Sequence, residues 1–166
     1  MRKLGFIALS LIAASTLALG TAGAAVASKK FSKNACKLVT PAEVKALIPD
    51  ADAGTKRYEA GHGVKNASCY WKSVSSAKLA SLAVTVLDLG KSVPPGFAKL
   101  ALQHETGAKK VSGLGDYAIY ISQINVDLEV KAVVGKLTLN VDYNANSAQD
   151  EKDAVIKIAK AIAKHL

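Results

Sequence analysis

Four sets of residues in this chain carry side chains able to do chemistry: two cysteines, three histidines, an aspartate–asparagine run, and twenty lysines. Cys36 and Cys69 form no CxxC pair, and two thiols are too few for a four-ligand zinc site. His62, His104 and His165 stand in a glycine-rich loop, near one helix end and at the end of the last helix. None lies at a metal-ligand spacing from another His or Cys. His104 reads as a last-turn residue that suits the helix dipole, and His62 beside Glu59 is at most a candidate ligand or base. Asp142, Asn144 and Asn146 match positions 1, 3 and 5 of a calcium loop, with Asp153 at position 12. That loop needs glycine where Ser147 stands and a bidentate glutamate where Asp153 stands, so a strand followed by a helix cap is the better reading. Ser68 and Ser112 lack a nucleophile context. Gly113-Leu114-Gly115 leads into a strand rather than a helix, so its glycines serve special backbone angles instead of cradling phosphate. Asn66-Ala67-Ser68 fits the N-glycosylation pattern, which means little in a bacterial-looking sequence. No catalytic, cofactor-binding or metal-ligating set assembles, and no cofactor is expected.

The lysines are the best interaction signal. After residue 27 they outnumber arginine 19 to 1. Nucleic-acid readers favour arginine forks and stacked aromatics, and no such module is present. The residues singled out for interaction are Lys109-Lys110 and the polar side of the last helix, Lys152, Lys157, Lys160 and Lys164. Ordinary solubilising charge is the competing explanation.

The remaining composition bounds the setting. The chain has 166 residues, 50% hydrophobic and only 5% aromatic, with a net charge of +9. That apolar share excludes a disordered polycation. Part of it comes from residues 1–27, which read as a signal peptide: Arg2 and Lys3, an uncharged stretch from Leu4 to Leu19, and Ala25-Val26-Ala27 as cleavage signal. A spanning helix usually wants about 20 apolar residues, more than this stretch supplies, so no transmembrane span is expected after cleavage. Cleavage before Ser28 removes Arg2, Lys3 and no acid, so the net charge falls to +7. No cysteine sits where a lipid anchor would need one. In an oxidising compartment, Cys36 and Cys69 have one possible pairing, and a bridge closing a loop of some thirty residues is worth about 3–4 kcal/mol in the chain-entropy model.

The elements that must position these residues follow from pattern. Residues 28–35 form a basic, loosely held lead, and 36–166 a single domain. Thr40-Pro41-Ala42-Glu43 is a capping box with a proline starter, opening a helix to about Ile48 that Pro49 stops. Asp50 to Asn66 reads as a long exposed loop with at most a short strand near Lys56–Glu59. Strands follow at Ala67–Lys72 and Leu79–Leu87, joined by a hairpin over Ser73–Lys78. Trp71 follows Cys69 by two, and one of the two is expected to pack inward with the disulfide. Pro94-Pro95-Gly96 opens a helix from about Phe97 to Glu105, with Phe97, Leu100 and Ala101 inward. Tyr117–Ile121, Val126–Val134 and Leu137–Tyr143 then alternate as a meander of strands. Ser147, with Asp150 three residues on, caps a last helix to about His165 whose stripe is Val155, Ile158, Ile162 and Leu166. The order α-β-β-α-β-β-β-α predicts an α+β domain, an antiparallel sheet of about five strands with one face against helices.

Three motifs carry a resemblance: Cys36-Lys37-Leu38-Val39-Thr40-Pro41-Ala42-Glu43-Val44, Cys69-Tyr70-Trp71, and Gly113-Leu114-Gly115-Asp116-Tyr117-Ala118, followed by an Ala-rich last helix. Over about residues 34 to 166 the chain resembles small exported actinobacterial-type domains, often lipoproteins, of uncharacterised function. That family is similar to the fold group of the photosystem subunit PsbP and the nuclear transport factor Mog1. The resemblance implies a paired disulfide and a glycine–aspartate turn into a strand. The chain departs in lacking the lipidation cysteine, which implies a freely secreted form or one held by charge. No activity transfers with the fold. The resulting expectation is an exported, non-catalytic domain, extracytoplasmic and associated with the cell envelope. It would bind a protein, an anionic envelope polymer or a phospholipid surface, and no nucleic acid. The alternative is a secreted enzyme or enzyme inhibitor.

Overall fold

The computed structural model of the chain describes residues 31–75, 79–91, 93–123 and 126–166. The expected signal peptide, Lys29, Lys30 and part of the Ser73–Lys78 hairpin lie outside the described residues. Among the described residues no helix is long and apolar enough to cross a membrane.

The first helix forms as its cap dictates. In α1 (Pro41–Leu47) the Glu43 amide donates to Thr40 Oγ1 at 3.2 Å, and the Thr40 amide donates to Glu43 Oε2 at 2.8 Å. Two orphan donors are thereby satisfied reciprocally, and Val44 and Leu47 are free to point into the core. The lead segment expected to be loose is docked from Phe31 onward: Phe31 packs against the core, Ala35 is buried, and a 3-10 turn spans Ala35–Leu38.

One antiparallel sheet organises the rest. Its strands are β1 (Thr55–Gly61), β2 (Val64–Lys72), β3 (Ser81–Asp88), β4 (Lys109–Lys110), β5 (Tyr117–Gln123), β6 (Asp127–Val134) and β7 (Leu137–Asn144). They lie in the order β1-β2-β3-β7-β6-β5-β4. The expected five strands become seven because two edge strands carry no readable pattern. β1 is exposed at every residue, so it has no inward face to alternate against, and β4 is only two residues long. The Asp50–Asn66 segment is therefore a hairpin arm rather than a long loop.

Register divides the sheet into two faces. Cys69, Val84, Val141 and Val130 lie side by side across four strands, with Trp71, Leu82, Tyr143 and Leu128 in the next row. All eight are buried. This face is covered by α1, by the Ala35–Leu38 turn and by α3 (Lys152–His165), which buries Val155, Ile158, Ala159, Ile162 and Ala163. The second helix, α2 (Pro95–Gln103), packs on the opposite face against β5 and β6. There Ala98, Ile119, Ile121 and Val133 are buried outside the main core cluster. Helices thus flank both faces, not the single face expected.

Two local expectations also change. The sequence places Phe97, Leu100 and Ala101 inward on α2, yet all three are exposed, the first two at 62% and 51%, while Ala98 is buried and Leu102 partly so. Periodicity favoured the larger stripe, but the small Ala98 lets the helix approach the sheet closely. Ser147 makes no side-chain cap; a 3-10 turn over Ala148–Glu151 precedes α3 instead.

Candidate functional site

The disulfide anchors the helical layer to the sheet. Cys36 and Cys69 are bonded, with Cα atoms 5.0 Å apart. Asn34 accepts from the Cys36 amide at 3.1 Å, and Cys69 and Trp71 are both buried on the same face, so both residues pack inward. A structural disulfide fits an oxidising, extracytoplasmic environment. The glycine–aspartate turn has an equally structural role. Gly115, at φ +57°, packs against the Val133 carbonyl where a Cβ would collide. The Asp116 amide donates to Val133 O at 2.7 Å, and the Gly135 amide donates to Asp116 Oδ2 at 2.6 Å. The turn is thus bolted to the β6–β7 connection.

The six lysines singled out from sequence fall in three places. Neighbouring residues of a strand point to opposite faces, so Lys109 and Lys110 part company. Lys109 Nζ lies 5.8 Å from the centre of the Tyr120 ring, and Lys152 Nζ lies 5.5 Å from the same ring. Lys160 Nζ reaches over Gly113, so it joins this flank of α3. Lys157 and Lys164 are exposed along the outer side of the same helix. Lys110 goes to the α2 side, with its Nζ 5.9 Å from the Tyr117 ring centre. The acidic counterweight is slight: Asp153 approaches Lys152 at 3.9 Å, and its side chain is 94% exposed. A surface pair of that kind contributes little. Lysines on a short edge strand also discourage strand addition, which accounts for Lys109 and Lys110 but not for the α3 lysines.

A second polar constellation, on the α2 face of the sheet, escaped sequence reasoning. Lys131 bridges Glu105 at 3.1 Å and Glu129 at 3.0 Å. Burial alone would lower the Lys131 pKa, but hydrogen bonds to Glu129 and Glu105 outweigh it and hold it above the usual lysine value. Asn140 Nδ2 donates to Glu129 Oε1 at 2.8 Å. Beside them, burial, the charges of Asp127 and Glu129, and a hydrogen bond with Asp127 push the Asp142 carboxyl up to about 6, against the pull of Lys131. The available signal was the polar half of the β6 alternation, Asp127, Glu129 and Lys131, set beside Asp142 on the next strand. Among the described residues no group of three His, Cys, Asp or Glu is placed to hold a metal ion. Asp142 and Asn144 stand on the extended β7 and Asp153 on α3, so they form a strand and a helix rather than a chelating loop. His62 lies in the β1–β2 turn at φ +50°, and His104 forms the end of α2.

The class defined by this geometry is an α+β domain with a seven-stranded antiparallel sheet, helices on both faces and a lysine-rich edge. Comparison with family models, curated proteins and solved structures finds no match to the chain.

Proposed function

We propose that this chain is an exported, non-catalytic domain that binds an anionic polymer of the cell envelope through the β4–α3 edge. The observation that carries this reading is the convergence of Lys109 and Lys152 on Tyr120, with Lys160 on the same flank. A strand and a helix far apart in sequence bring positive charge to one place, where an ordinary solubilising coat would scatter it. The ring supplies a rigid, partly exposed apolar surface between the ammonium groups. Lysine ammonium groups act as point charges and suit repeated phosphates or carboxylates along a flexible polymer. We also assign the chain to the small exported domains it resembles, with their PsbP- and Mog1-like fold relationship. What supports this is that each shared motif has a structural task here: the capping box, the disulfide and the bolted turn.

The experiment is retention of the purified protein on isolated cell envelope across a salt series from about 0.05 to 0.5 M, a range that shortens the screening length roughly threefold. Charge-driven binding weakens steadily over that series; retention unchanged at high salt rejects it. Vesicles of anionic phospholipid provide a second arm, and retention there but not on lipid-free wall moves the target to the membrane surface. A second reading, a secreted enzyme or an enzyme inhibitor, draws on the neighbouring carboxylates Asp127 and Asp142. Hydrolysis of envelope polymer abolished by Asp142→Asn would establish it.

A further inference from the structure

The edge opposite the lysines is a long, uncovered strand. β1 runs for seven residues, Thr-Lys-Arg-Tyr-Glu-Ala-Gly, pairs among the described residues only with β2, and is exposed at every position. Such an edge presents unpaired backbone donors and acceptors to any strand that fits beside it. Arg57 and Glu59 point to the same face of the sheet, two residues apart, and neither makes an ion pair among the described residues. On the other face Tyr58 is 38% exposed, and its ring lies 6.3 Å from that of Phe31.

We infer that β1 is a self-association edge, and that a second copy of this chain pairs with it antiparallel about a two-fold axis through Tyr58. The register is selected by charge. With the axis at Tyr58, Arg57 lies directly opposite Glu59 of the second copy, and Glu59 opposite its Arg57, so both unpaired charges are matched. Lys56 then faces Ala60, Thr55 faces Gly61, and Tyr58 faces its own twin. Moving the axis to Arg57 sets two arginines opposite each other, and moving it to Glu59 sets two glutamates opposite each other. Like charges directly opposite are destabilising, whereas opposite charges and aromatic pairs stabilise. On the helical side the two Tyr58 rings meet, each already backed by its own Phe31, giving a four-ring cluster that strand pairing would cover.

The result is one continuous sheet made of two seven-stranded halves. The β4 edges lie at its two far ends, so pairing leaves the lysine clusters exposed and doubles their number. A polymer long enough to reach both would be held bivalently. The isologous geometry is the closed, two-fold kind that ends at a dimer.

Sedimentation velocity of the purified protein at 0.15 M salt, from micromolar to several hundred micromolar, tests the inference. A concentration-dependent monomer–dimer equilibrium is expected. Glu59→Arg places arginine opposite arginine twice and should weaken dimerisation at least about tenfold, from two cross-strand pairs changed in sign. The swapped double variant Arg57→Glu/Glu59→Arg restores the pairing and should return the affinity to within a few-fold of the original. Both changes lie on an exposed strand, and an unchanged circular dichroism spectrum confirms that the fold is kept. A cysteine at the axis provides the register check. Tyr58→Cys should cross-link to its twin under mild oxidation, since opposed residues in a strand pair are about 4.5–5.5 Å apart, whereas Thr55→Cys should not. A protein that stays monomeric throughout overturns the inference, as does a dimer indifferent to Glu59→Arg or one that the double swap fails to rescue.

Discussion

Replacing Asp142 by asparagine should stabilise the protein at neutral pH. Asp142 sits on the α2 face of the sheet, where burial and the carboxylates of Asp127 and Glu129 raise its pKa from 3.8 to about 6. In the unfolded chain it titrates near its ordinary value. Between roughly pH 4 and 6 the folded state therefore binds more protons than the unfolded state, and stability falls as pH rises through that window. A shift of this size on a fully desolvated group corresponds to about 3 kcal/mol. Asp142 is only partly buried, and solvent screening brings the expected effect to about 1–2 kcal/mol. Asparagine reproduces the protonated acid: it carries no charge and keeps a donor for Asp127. Urea unfolding at pH 7 should give Asp142→Asn an advantage of about 1–2 kcal/mol, shrinking to near zero at pH 4. A variant no more stable at pH 7 than at pH 4, relative to the parent, would refute the reasoning.

Other perturbations test other links. Reducing the Cys36–Cys69 bond, whose ends are 33 residues apart, should cost about 3–4 kcal/mol and lower Tm by roughly 10–15 °C, read by calorimetry with and without reductant. Reduction leaves both side chains in place, so the loss reports the crosslink and not a cavity. Gly115→Ala combines a positive φ with a collision against the Val133 carbonyl and should destabilise by more than about 2 kcal/mol, while Gly107→Ala, with open space around it, should lose only about 1 kcal/mol by the same denaturation assay. Phe97→Ser and Leu100→Ser on the exposed side of α2 should each change stability by less than about 0.5 kcal/mol. Ala98→Leu, on the buried side, should cost about 1–3 kcal/mol by overpacking.

Much of the core was legible because local and global signals agree there. The capping box at Thr40–Glu43, the alternation in Leu82–Val84–Val86 and Leu137–Leu139–Val141, and the stripe Val155–Ile158–Ile162 each report burial through a regular period. What escaped lacks that contrast. β1 has no buried residue to mark its phase, and β4 is too short to have a period, so the sequence reading offered only a short strand near Lys56–Glu59 at one edge and nothing at the other. On α2 the alternation of faces is ambiguous, since Phe97–Leu100–Ala101 and Ala98–Leu102 are both apolar stripes, and only the sheet decides between them. The six lysines could be named but not grouped, because the convergence of Lys109 and Lys152 on Tyr120 depends on β4 lying beside β5 under the flank of α3. The Asp127–Glu129–Asp142 network needed the β6–β7 register, which hydrophobic periodicity does not report.

Binding to inorganic polyphosphate, measured by fluorescence anisotropy of a labelled polymer at several salt concentrations, tests the lysine edge most directly. The triple variant Lys109→Gln/Lys152→Gln/Lys160→Gln removes the charges that meet at Tyr120 and Gly113. A control, Lys45→Gln/Lys91→Gln/Lys99→Gln, removes the same net charge from exposed lysines elsewhere. At about 1 kcal/mol for each lysine near an anionic surface, the first variant should lose on the order of a hundredfold in affinity and show a shallower salt dependence. The control should lose less than about tenfold. Equal losses in the two variants would show that only net charge matters, and would contradict a site at the β4–α3 edge.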